Sequence, residues 1–308
     1  MSKPNKVSLC YAVYQNAGSL EELYLRSRRA IEENFPGMEV EFVFVNDGST
    51  DGSLEELRTI KSAHGDDRVK IVSFTRNFGQ VAAILAGWAE ATGDAVINLA
   101  ADLQDPPEQC VPMIREWLAG RDVVISFRQS HASSLLNRFT SKIAYRMLLP
   151  DVPDGGFDFT LLSRRAVDAM LRLRDRNRFY QHDVLWIGFN PVFIPYNKGE
   201  REKGRSQWNF VKRLNYFITC YINVSYTPLR IMAFLGLAFA GAGVIYSLLI
   251  TYLYFMHQAP FQGWAPIMIL LLIIGGLIMA MLGTIGEYLW RIFDETKGRP
   301  TYLIKERL

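Results

Sequence analysis

A long uncharged stretch near the C-terminus is the feature that most constrains this chain. Between Arg230 and Glu287 there is no Asp, Glu, Lys or Arg. Apolar runs at residues 231–256 and 265–286 fill this stretch, with a short turn between them. The first run is about 39 Å long as a helix, against a hydrocarbon core of about 30 Å. The sequence predicts a hairpin of two transmembrane helices, and the alternative is a buried helical hairpin of a soluble protein.

Basic residues flank the predicted hairpin and are absent from its turn. They are Lys212, Arg213 and Arg230 before it, and Arg291, Lys297 and Arg299 after it. Lys and Arg are enriched on the cytosolic side of membrane proteins. We therefore expect a multi-pass protein of the inner (cytoplasmic) membrane, with its N-terminal domain and both termini in the cytosol.

An apolar stripe at helical spacing lies just before the first span. Its members are Phe210, Val211, Leu214, Phe217, Ile218, Tyr221 and Ile222, and the opposite side carries Lys212, Arg213, Asn215 and Thr219. This pattern is typical of a helix lying in the headgroup layer. The alternative is a helix packed on the soluble domain.

Strand and helix patterns alternate in the first two thirds of the chain. Short runs rich in Val and Ile predict strands at residues 6–13, 39–46, 69–74, 95–100 and 122–127. This alternation predicts an α/β fold with a mostly parallel sheet covered on both faces. Ligands of such sheets bind beyond the carboxyl ends of the strands, so we expect the chemistry there.

Three helix starts carry local signals. Ser19-Leu-Glu-Glu22 and Ser53-Leu-Glu-Glu56 match capping boxes and predict the openings of two helices. Pro107 suits the first turn of a third helix, where Glu108 would lie near the positive end of the helix dipole.

Composition argues against several other classes of protein. The net charge of +3 comes with no basic tract or finger motif, so we expect no nucleic-acid partner. Neither a Gly-x-Gly-x-x-Gly nor a P-loop follows the strands, which disfavours dinucleotide and ATP binding. The cysteines, Cys10, Cys110 and Cys220, are distant and odd in number, which indicates neither a disulfide framework nor a zinc site. The first residues lack the pattern of a signal peptide, so we expect none.

Acidic residues follow two predicted strands where each strand ends. Asp47 follows the second strand, and Asp102 and Gln104 follow the fourth. A carboxylate at a strand end can accept hydrogen bonds from ribose hydroxyls or a base N–H. In an extended segment Asp102 and Gln104 would face the same way, and oxygen ligands suit Mg²⁺ or Mn²⁺ bridging a diphosphate. A lone loop Asp is more often a turn former, but two acidic segments at one sheet edge favour a site.

Six motifs follow one another along the chain in a specific order. They are Val45-Asn-Asp-Gly-Ser49, Arg76-Asn-Phe-Gly-Gln80, Asp102-Leu-Gln-Asp-Pro-Pro107, Asp158-Phe-Thr-Leu-Leu162, Arg201-Glu-Lys-Gly-Arg-Ser206 and Glu295-Thr-Lys-Gly-Arg-Pro300. With this set the chain resembles family-2 glycosyltransferases of the polyprenyl-phosphate branch, such as dolichol-phosphate mannose synthases and undecaprenyl-phosphate glucosyltransferases. The resemblance covers nearly the whole chain. It implies a Rossmann-like GT-A domain (1–205), an interfacial helix (206–228), two transmembrane helices (229–290) and a cytosolic tail (291–308).

The resemblance also implies roles for individual residues. Asp158 matches the acidic residue proposed as catalytic base, and Asp102 and Gln104 match ligands of the metal and diphosphate. The nucleotide-sugar positions are Ala12, Tyr14, Asn16, Val45, Asp47, Ala100, Ala101 and Asp102. The positions for lipid phosphate or diphosphate are Arg128, Arg138, Ser141, Arg201, Ser206 and Gln207. Arg138 and Ser141 are also one turn apart in a helical stretch at 133–149, so they can converge on one anion, although a lone surface arginine is more often simply solvated.

Several positions depart from the family pattern. Ala12, Gln15 and Asn16 replace Pro, Asn and Glu; Asn46 and Ala100 replace the first Asp of two acidic pairs; Thr160 and Gln207 replace Arg and Lys. Asp47, Asp102, Gln104 and Asp158 are retained, so we expect an active enzyme.

The expected reaction is transfer of a hexose from a nucleotide sugar to polyprenyl (undecaprenyl) phosphate, with inversion, for cell-envelope glycan modification. A UDP-sugar donor is an analogy with bacterial relatives. A divalent cation (Mg²⁺ or Mn²⁺), the lipid bilayer and a homo-oligomer are further expectations from the resemblance. One alternative is a processive polysaccharide synthase, although Ser206-Gln-Trp208 is not its Gln-x-x-Arg-Trp motif. The other is a catalytically impaired membrane adaptor, favoured only by the changes at Ala100 and Asn16.

Overall fold

The computed structural model describes residues 6–64, 68–128, 152–153, 157–175, 178–196, 221–222, 225–257 and 264–308. The chain divides into two compact units. One unit comprises Met1–Phe217 together with Arg299–Leu308, and the other comprises Ile218–Gly298.

In its described part, the first unit is built on an eight-stranded sheet of order β7-β5-β6-β4-β1-β2-β3-β8. The strands are β1 (Lys6–Val13), β2 (Glu39–Asn46), β3 (Val69–Phe74), β4 (Ala95–Ala100), β5 (Val123–Arg128), β6 (Phe157–Ser163), β7 (Val192–Tyr196) and β8 (Ile304–Arg307). Strands β1 to β4 pair in parallel, while β6 is antiparallel to β4 and β5, and β8 is antiparallel to β3. The predicted mostly parallel sheet is confirmed, and β6, β7 and β8 were not predicted.

Six helices and a 3₁₀ turn accompany the sheet in the described part of this unit. The helices are α1 (Leu20–Asn34), α2 (Ser53–Ala63), α3 (Gln80–Glu90), α4 (Cys110–Leu118), α5 (Arg164–Arg172) and α6 (Tyr180–Trp186). Residues 40–46 of β2 are all buried, because helices cover both faces of the sheet. Helix α3 lies close against β1: a Cβ added at Gly87 would be 3.2 Å from the Cβ of Cys10.

Helices α1 and α2 begin near the predicted positions, but the capping boxes are wrong. The Ser19 hydroxyl donates to the Asn16 carbonyl instead of accepting from its own helix. The Glu56 carboxylate, predicted to close the box of α2, caps α1 instead. It accepts hydrogen bonds from the backbone N–H groups of Gly18, Leu20 and Glu21. A contact between the neighbouring helices α1 and α2 therefore takes the place of the capping box that the sequence predicts.

The helix start at Pro107 is confirmed. Pro107 is the first residue of the 3₁₀ turn Pro107–Gln109, which leads directly into α4. The Glu108 carboxylate accepts two hydrogen bonds of 2.9 Å from the Arg26 guanidinium. Burial by itself would raise the pKa of Glu108, but this pairing lowers it below its usual value. Glu108 therefore joins α1 to the start of α4.

The second unit contains two long helices, α7 (Thr227–His257) and α8 (Trp264–Thr296). Both are long and apolar enough to cross a membrane, over Thr227–Leu253 and Ile273–Thr296. Phe234 and Leu237 are 72% and 73% exposed, which argues against a hairpin buried in a soluble core. The Tyr288 hydroxyl donates to the Ser225 carbonyl at 2.7 Å and so links α8 to the residues just before α7.

The regions flanking the hairpin differ in how far the structure describes them. Most of the predicted interfacial helix (206–228), up to residue 220, lies outside the described residues. Within the predicted tail (291–308), α8 continues to Thr296, and Ile304–Arg307 form β8 on the sheet of the first unit. The end of the tail is thus part of the α/β fold.

Candidate active site

The sheet brings most of the described candidate residues to one edge. Because β1 to β4 are parallel, the loops that contain Asp47 and Asp102 follow strands that end at the same edge. Strand β5 runs in the same direction and ends there at Arg128, whose pairing partner on β7 is Tyr196. Antiparallel β6 starts at this edge and contains Asp158. Thr160 pairs with Asn98, so the start of β6, which contains Asp158, lies beside the end of β4.

Three nucleotide-sugar candidates form a row across adjacent strands. Ala12 of β1 pairs with Val45 of β2 on one side and with Ala100 of β4 on the other. Val45 is buried, whereas Ala12 and Ala100 are partly exposed. Ala101 follows and is buried. These three positions therefore lie side by side near the carboxyl ends of β1, β2 and β4.

The loops after β1 and β2 are joined by hydrogen bonds. The backbone N–H of Asp47 donates to the Val13 carbonyl at 2.9 Å. Gln15, which has a φ of +59°, donates from its backbone to the Ser49 hydroxyl at 3.2 Å. The Asn16 side chain accepts from the Tyr14 N–H at 2.9 Å, and 47% of Tyr14 is exposed. The Tyr14 ring is therefore accessible for stacking, while the Asn16 carbonyl oxygen is used within its own loop.

Asp47 connects the loop after β2 to the loop after β3. It is 3% exposed, and its two carboxylate oxygens accept the backbone N–H groups of Phe78 at 2.6 Å and Gly79 at 2.9 Å. Burial raises the pKa of Asp47 and outweighs the opposing effects of these bonds and of the Arg76 charge. Each carboxylate oxygen has a further lone pair, so Asp47 can hold this loop and still accept a hydrogen bond from a ligand.

The residues on either side of Asp47 also bring the end of β2 close to β3 and to the loop that follows it. Gly48 has a φ of +65°, and a Cβ added there would lie 2.4 Å from the carbonyl carbon of Arg76. The buried Asn46 side chain donates to the Ser73 hydroxyl at 3.0 Å and accepts from the Ser49 N–H at 3.2 Å. A carboxylate could not donate the first of these bonds. Asn46 therefore has a structural role at the position where the family pattern expected from the sequence has Asp.

The segment that contains Asp102 and Gln104 is a turn, so the extended conformation expected from the sequence is wrong. Leu103 has a φ of +54°, and the Asp102 Oδ1 accepts the Gln104 N–H at 3.2 Å. This side-chain-to-backbone bond is the type by which Asp favours turns. The Asp102 side chain is exposed and Gln104 is half-buried.

The oxygen donors of this turn fit a hard divalent cation. In the described part of the chain no three His, Cys, Asp or Glu side chains are grouped to hold a metal ion. An ion held at this turn would have one carboxylate from Asp102 and one amide oxygen from Gln104, with further ligands from a diphosphate and water. Mg²⁺ is typically bound in this way, through one or two carboxylates plus substrate phosphates.

Asp105 and Tyr196 belong to this edge and were missed in the sequence. Asp105 is 2% exposed, and its carboxylate accepts a 2.9 Å hydrogen bond from the Tyr196 hydroxyl at the end of β7. This bond anchors the turn after β4 to a strand three positions away in the sheet. The only local signal was the place of Asp105 within Asp102-Leu-Gln-Asp-Pro-Pro107.

The remaining candidates are only partly described. Asp158 lies at an irregularity of β6, where Phe159 pairs with Ser126 and Phe157 pairs with Phe127. Thr160 is fully buried, and its hydroxyl has no hydrogen-bond partner among the described residues. Arg138, Ser141, Arg201, Ser206 and Gln207 lie outside the described residues. Their position near the carboxyl ends of β2 and β4, where Asp47 and Asp102 form an acidic edge of the sheet, stays a prediction.

Comparison with known proteins adds an independent observation. The family described as "Glycosyl transferase family 2" matches residues 8–171, more than half of the chain. The chain belongs to glycosyltransferase family 2. This transferase is 34% identical to an uncharacterised glycosyltransferase of Bacillus subtilis (strain 168), YkcC, over 99% of this chain and 95% of that protein. It is also 34% identical to the bactoprenol glucosyl transferase of Shigella phage SfX, over 98% of this chain and 99% of that protein.

A solved structure shows the same fold. Mannosyl-3-phosphoglycerate synthase from Rubrobacter xylanophilus aligns with a TM-score of 0.51 and 15% identity, over 71% of this chain and 73% of that one. The GT-A fold and the glycosyltransferase class, both expected from the six motifs, are confirmed.

Proposed function

We propose that this enzyme transfers a hexose from a nucleotide sugar, specifically a UDP-sugar, to polyprenyl phosphate, with inversion at the anomeric carbon. One observation carries the proposal. The same chain combines an acidic edge on a GT-A sheet with an apolar hairpin, and it matches a bactoprenol glucosyl transferase over both parts. The acidic edge suits a nucleotide diphosphate, and the hairpin suits a lipid acceptor.

The chemistry follows from the charges of the reactants. An oxygen of the lipid phosphate attacks the anomeric carbon, the bond to the donor diphosphate breaks, and the nucleoside diphosphate leaves. The second pKa of a phosphate monoester is near ~6, so the acceptor is largely ionised at neutral pH. It needs little help from a general base. Asp158, at the start of β6 on the acidic edge, therefore serves to position the acceptor or the sugar as much as to remove a proton.

Asp102 and Gln104 would hold the divalent cation. When bound, such an ion stabilises the negative charge that develops on the leaving diphosphate. The exposure of Asp102 at the end of β4 supports this assignment, because a bridging ion needs a carboxylate open to the substrate.

The hairpin supports a membrane topology with both ends on one side. Strand β8 follows the hairpin in the sequence, and β3 precedes it. Because β8 pairs with β3, the residues before and after the hairpin belong to one folded unit and must lie on the same side of the membrane. The basic residues before and after the hairpin favour a cytosolic position for both of its ends. A reporter fused at Gln262 should therefore read as external, and one fused after Leu308 as internal. The opposite pattern would contradict the topology.

The reaction is tested with the purified full-length protein in lipid nanodiscs. The substrates are undecaprenyl phosphate and a panel of radiolabelled UDP- and GDP-sugars, and the label is counted in the organic-extractable lipid. We expect label in lipid with at least one UDP-sugar. Label in a polymer would favour a processive synthase, and no transfer with any donor would favour an adaptor.

The metal ligand is tested in the same assay. Asp102→Asn removes the charge and keeps the shape, so it should lower transfer by orders of magnitude, as should EDTA. The matched control is Asp168→Asn, an exposed carboxylate of α5 that pairs with Arg164 on the same helix. Full transfer by Asp102→Asn, or in EDTA, would mean that this carboxylate only shapes the turn.

A further inference from the structure

The end of the chain completes one side of the catalytic sheet. Strand β8 pairs with β3, with Arg307 opposite Val72, Glu306 opposite Ser73 and Ile304 opposite Phe74. Leu308 exchanges two backbone hydrogen bonds with Ile71, of 2.9 and 2.8 Å. Residues that follow the second membrane helix therefore cover an edge strand of the donor half of the sheet.

Side chains fasten this strand on both faces of the sheet. Glu306 accepts two 2.8 Å hydrogen bonds from the Arg58 guanidinium of α2. The next residue, Arg307, donates at 2.9 Å to Glu90 of α3. Since successive side chains of a strand point to opposite faces, the two ion pairs hold β8 from both sides.

An aromatic row leads from the tail to Asp47. The Tyr302 ring stacks on Phe74, the last residue of β3, at 5.0 Å and 14°. Phe74 meets the Phe78 ring edge-on at 5.7 Å, and the Phe78 N–H donates to Asp47. In addition, the Thr75 N–H donates to the Leu303 carbonyl at 3.0 Å. The loop held by Asp47 thus has a second support, which comes from the tail.

We propose that residues 302–308 position the donor side of the active site, with Tyr302 as the positioning residue. Tyr302 acts through Phe74 and Phe78 on the loop of residues 75–79 and thereby on Asp47. The inference rests on the proposed function insofar as it assigns Asp47 to the nucleotide sugar. The residues expected to face the acceptor, Arg128 of β5 and Asp158 of β6, belong to strands on the other side of β4 and β1 from β3, so the effect should be confined to the donor.

The first readout needs no substrate. Tyr302→Ala removes the stacked ring, and a lost aromatic pair should make opening of the loop about threefold to tenfold more frequent. Hydrogen exchange at the Phe78 and Gly79 amides of the full-length protein should accelerate by the same factor. Exchange in β1 should be unchanged, because that strand lies in the interior of the sheet.

The second readout is kinetic. Tyr302→Ala should raise the KM for the nucleotide sugar severalfold and leave the KM for undecaprenyl phosphate unchanged, whereas a general loss of stability would lower kcat alone. Tyr302→Phe keeps the ring and should behave as wild type. Thr301→Ala is the matched control, because this neighbouring side chain is exposed and lies outside residues 302–308.

The outcomes separate the inference from the proposed function. Unchanged exchange at Phe78 and Gly79 in Tyr302→Ala overturns the inference, whether or not the enzyme transfers sugar. Faster exchange with an unchanged donor KM also overturns it, because the tail would then support the loop without positioning the donor. If no sugar is transferred at all, the proposed function fails while the exchange experiment still decides whether the tail holds the loop.

Discussion

Replacing Gly48 by Ala tests whether the close approach of two loops shapes the donor site. At Gly48 the backbone has a φ of +65°, where a side chain costs about 1–2 kcal/mol. The new Cβ would also lie 2.4 Å from the carbonyl carbon of Arg76, against 3.4 Å or more for an ordinary contact. The two loops must therefore separate by about 1.0 Å, which is the difference between these distances. Because backbone atoms are involved on both sides, no side-chain rotation relieves the contact.

The separation moves Asp47 relative to Phe78 and Gly79, whose amides it binds. A misplacement of ~1 Å in an active site can cost about 10²-fold in rate. We therefore expect Gly48→Ala to lower kcat/KM for the nucleotide sugar by roughly 10²-fold.

The assay measures transfer to undecaprenyl phosphate at varied donor concentration, with thermal unfolding as a check on folding. The matched control is Gly52→Ala in the same loop. There the nearest atom to a new Cβ is the Ala17 Cβ at an ordinary 3.8 Å, so activity should be retained. A folded Gly48→Ala protein with kcat/KM within about threefold of wild type would refute the reasoning, since ~10²-fold is expected.

Two further predictions concern titrating groups. Burial alone would raise the pKa of Glu41, but hydrogen bonds from Lys70, Ser8 and Thr92 lower it from 4.5 to about 2, which corresponds to about 3 kcal/mol of stability. This stabilisation is present above pH 4.5 and lost as the pH falls towards 2. At pH 7 Glu41→Gln should therefore lower the Tm by roughly 6–12 °C, and this difference in Tm from wild type should become smaller in acid. The control is Glu39→Gln, at an exposed position of the same strand. A difference in Tm that does not change with pH would contradict the assignment. For Asp158, we expect a loss of transfer in Asp158→Asn that lessens as the pH rises through ~6, and a larger loss in Asp158→Ala at every pH. An equal, pH-independent loss in both variants would instead indicate an obligatory base.

Local signals in the sequence determined most of the framework. Strands β1 to β4 were predicted residue for residue, because continuous apolar runs bounded by turn residues need no distant partner to be recognised. The two apolar helices followed equally directly from length and lack of charge. The motifs around Asp47 and Asp102 indicated the acidic edge, because the carboxyl ends of parallel strands meet there. The order of the six motifs along the chain separately indicated the family.

Only the tertiary structure decided which groups these residues contact. Nothing near Glu56 in the sequence indicates that it caps α1, since its partners are the N–H groups of residues 18, 20 and 21. Asp47 binds amides more than thirty residues away. Strand β8 is short and charged, and it is stable only because β3 offers an unpaired edge more than two hundred residues earlier. Hydrogen bonds and ion pairs of this kind leave no periodic trace in a sequence, because their partners are set by the packing of elements and not by spacing along the chain.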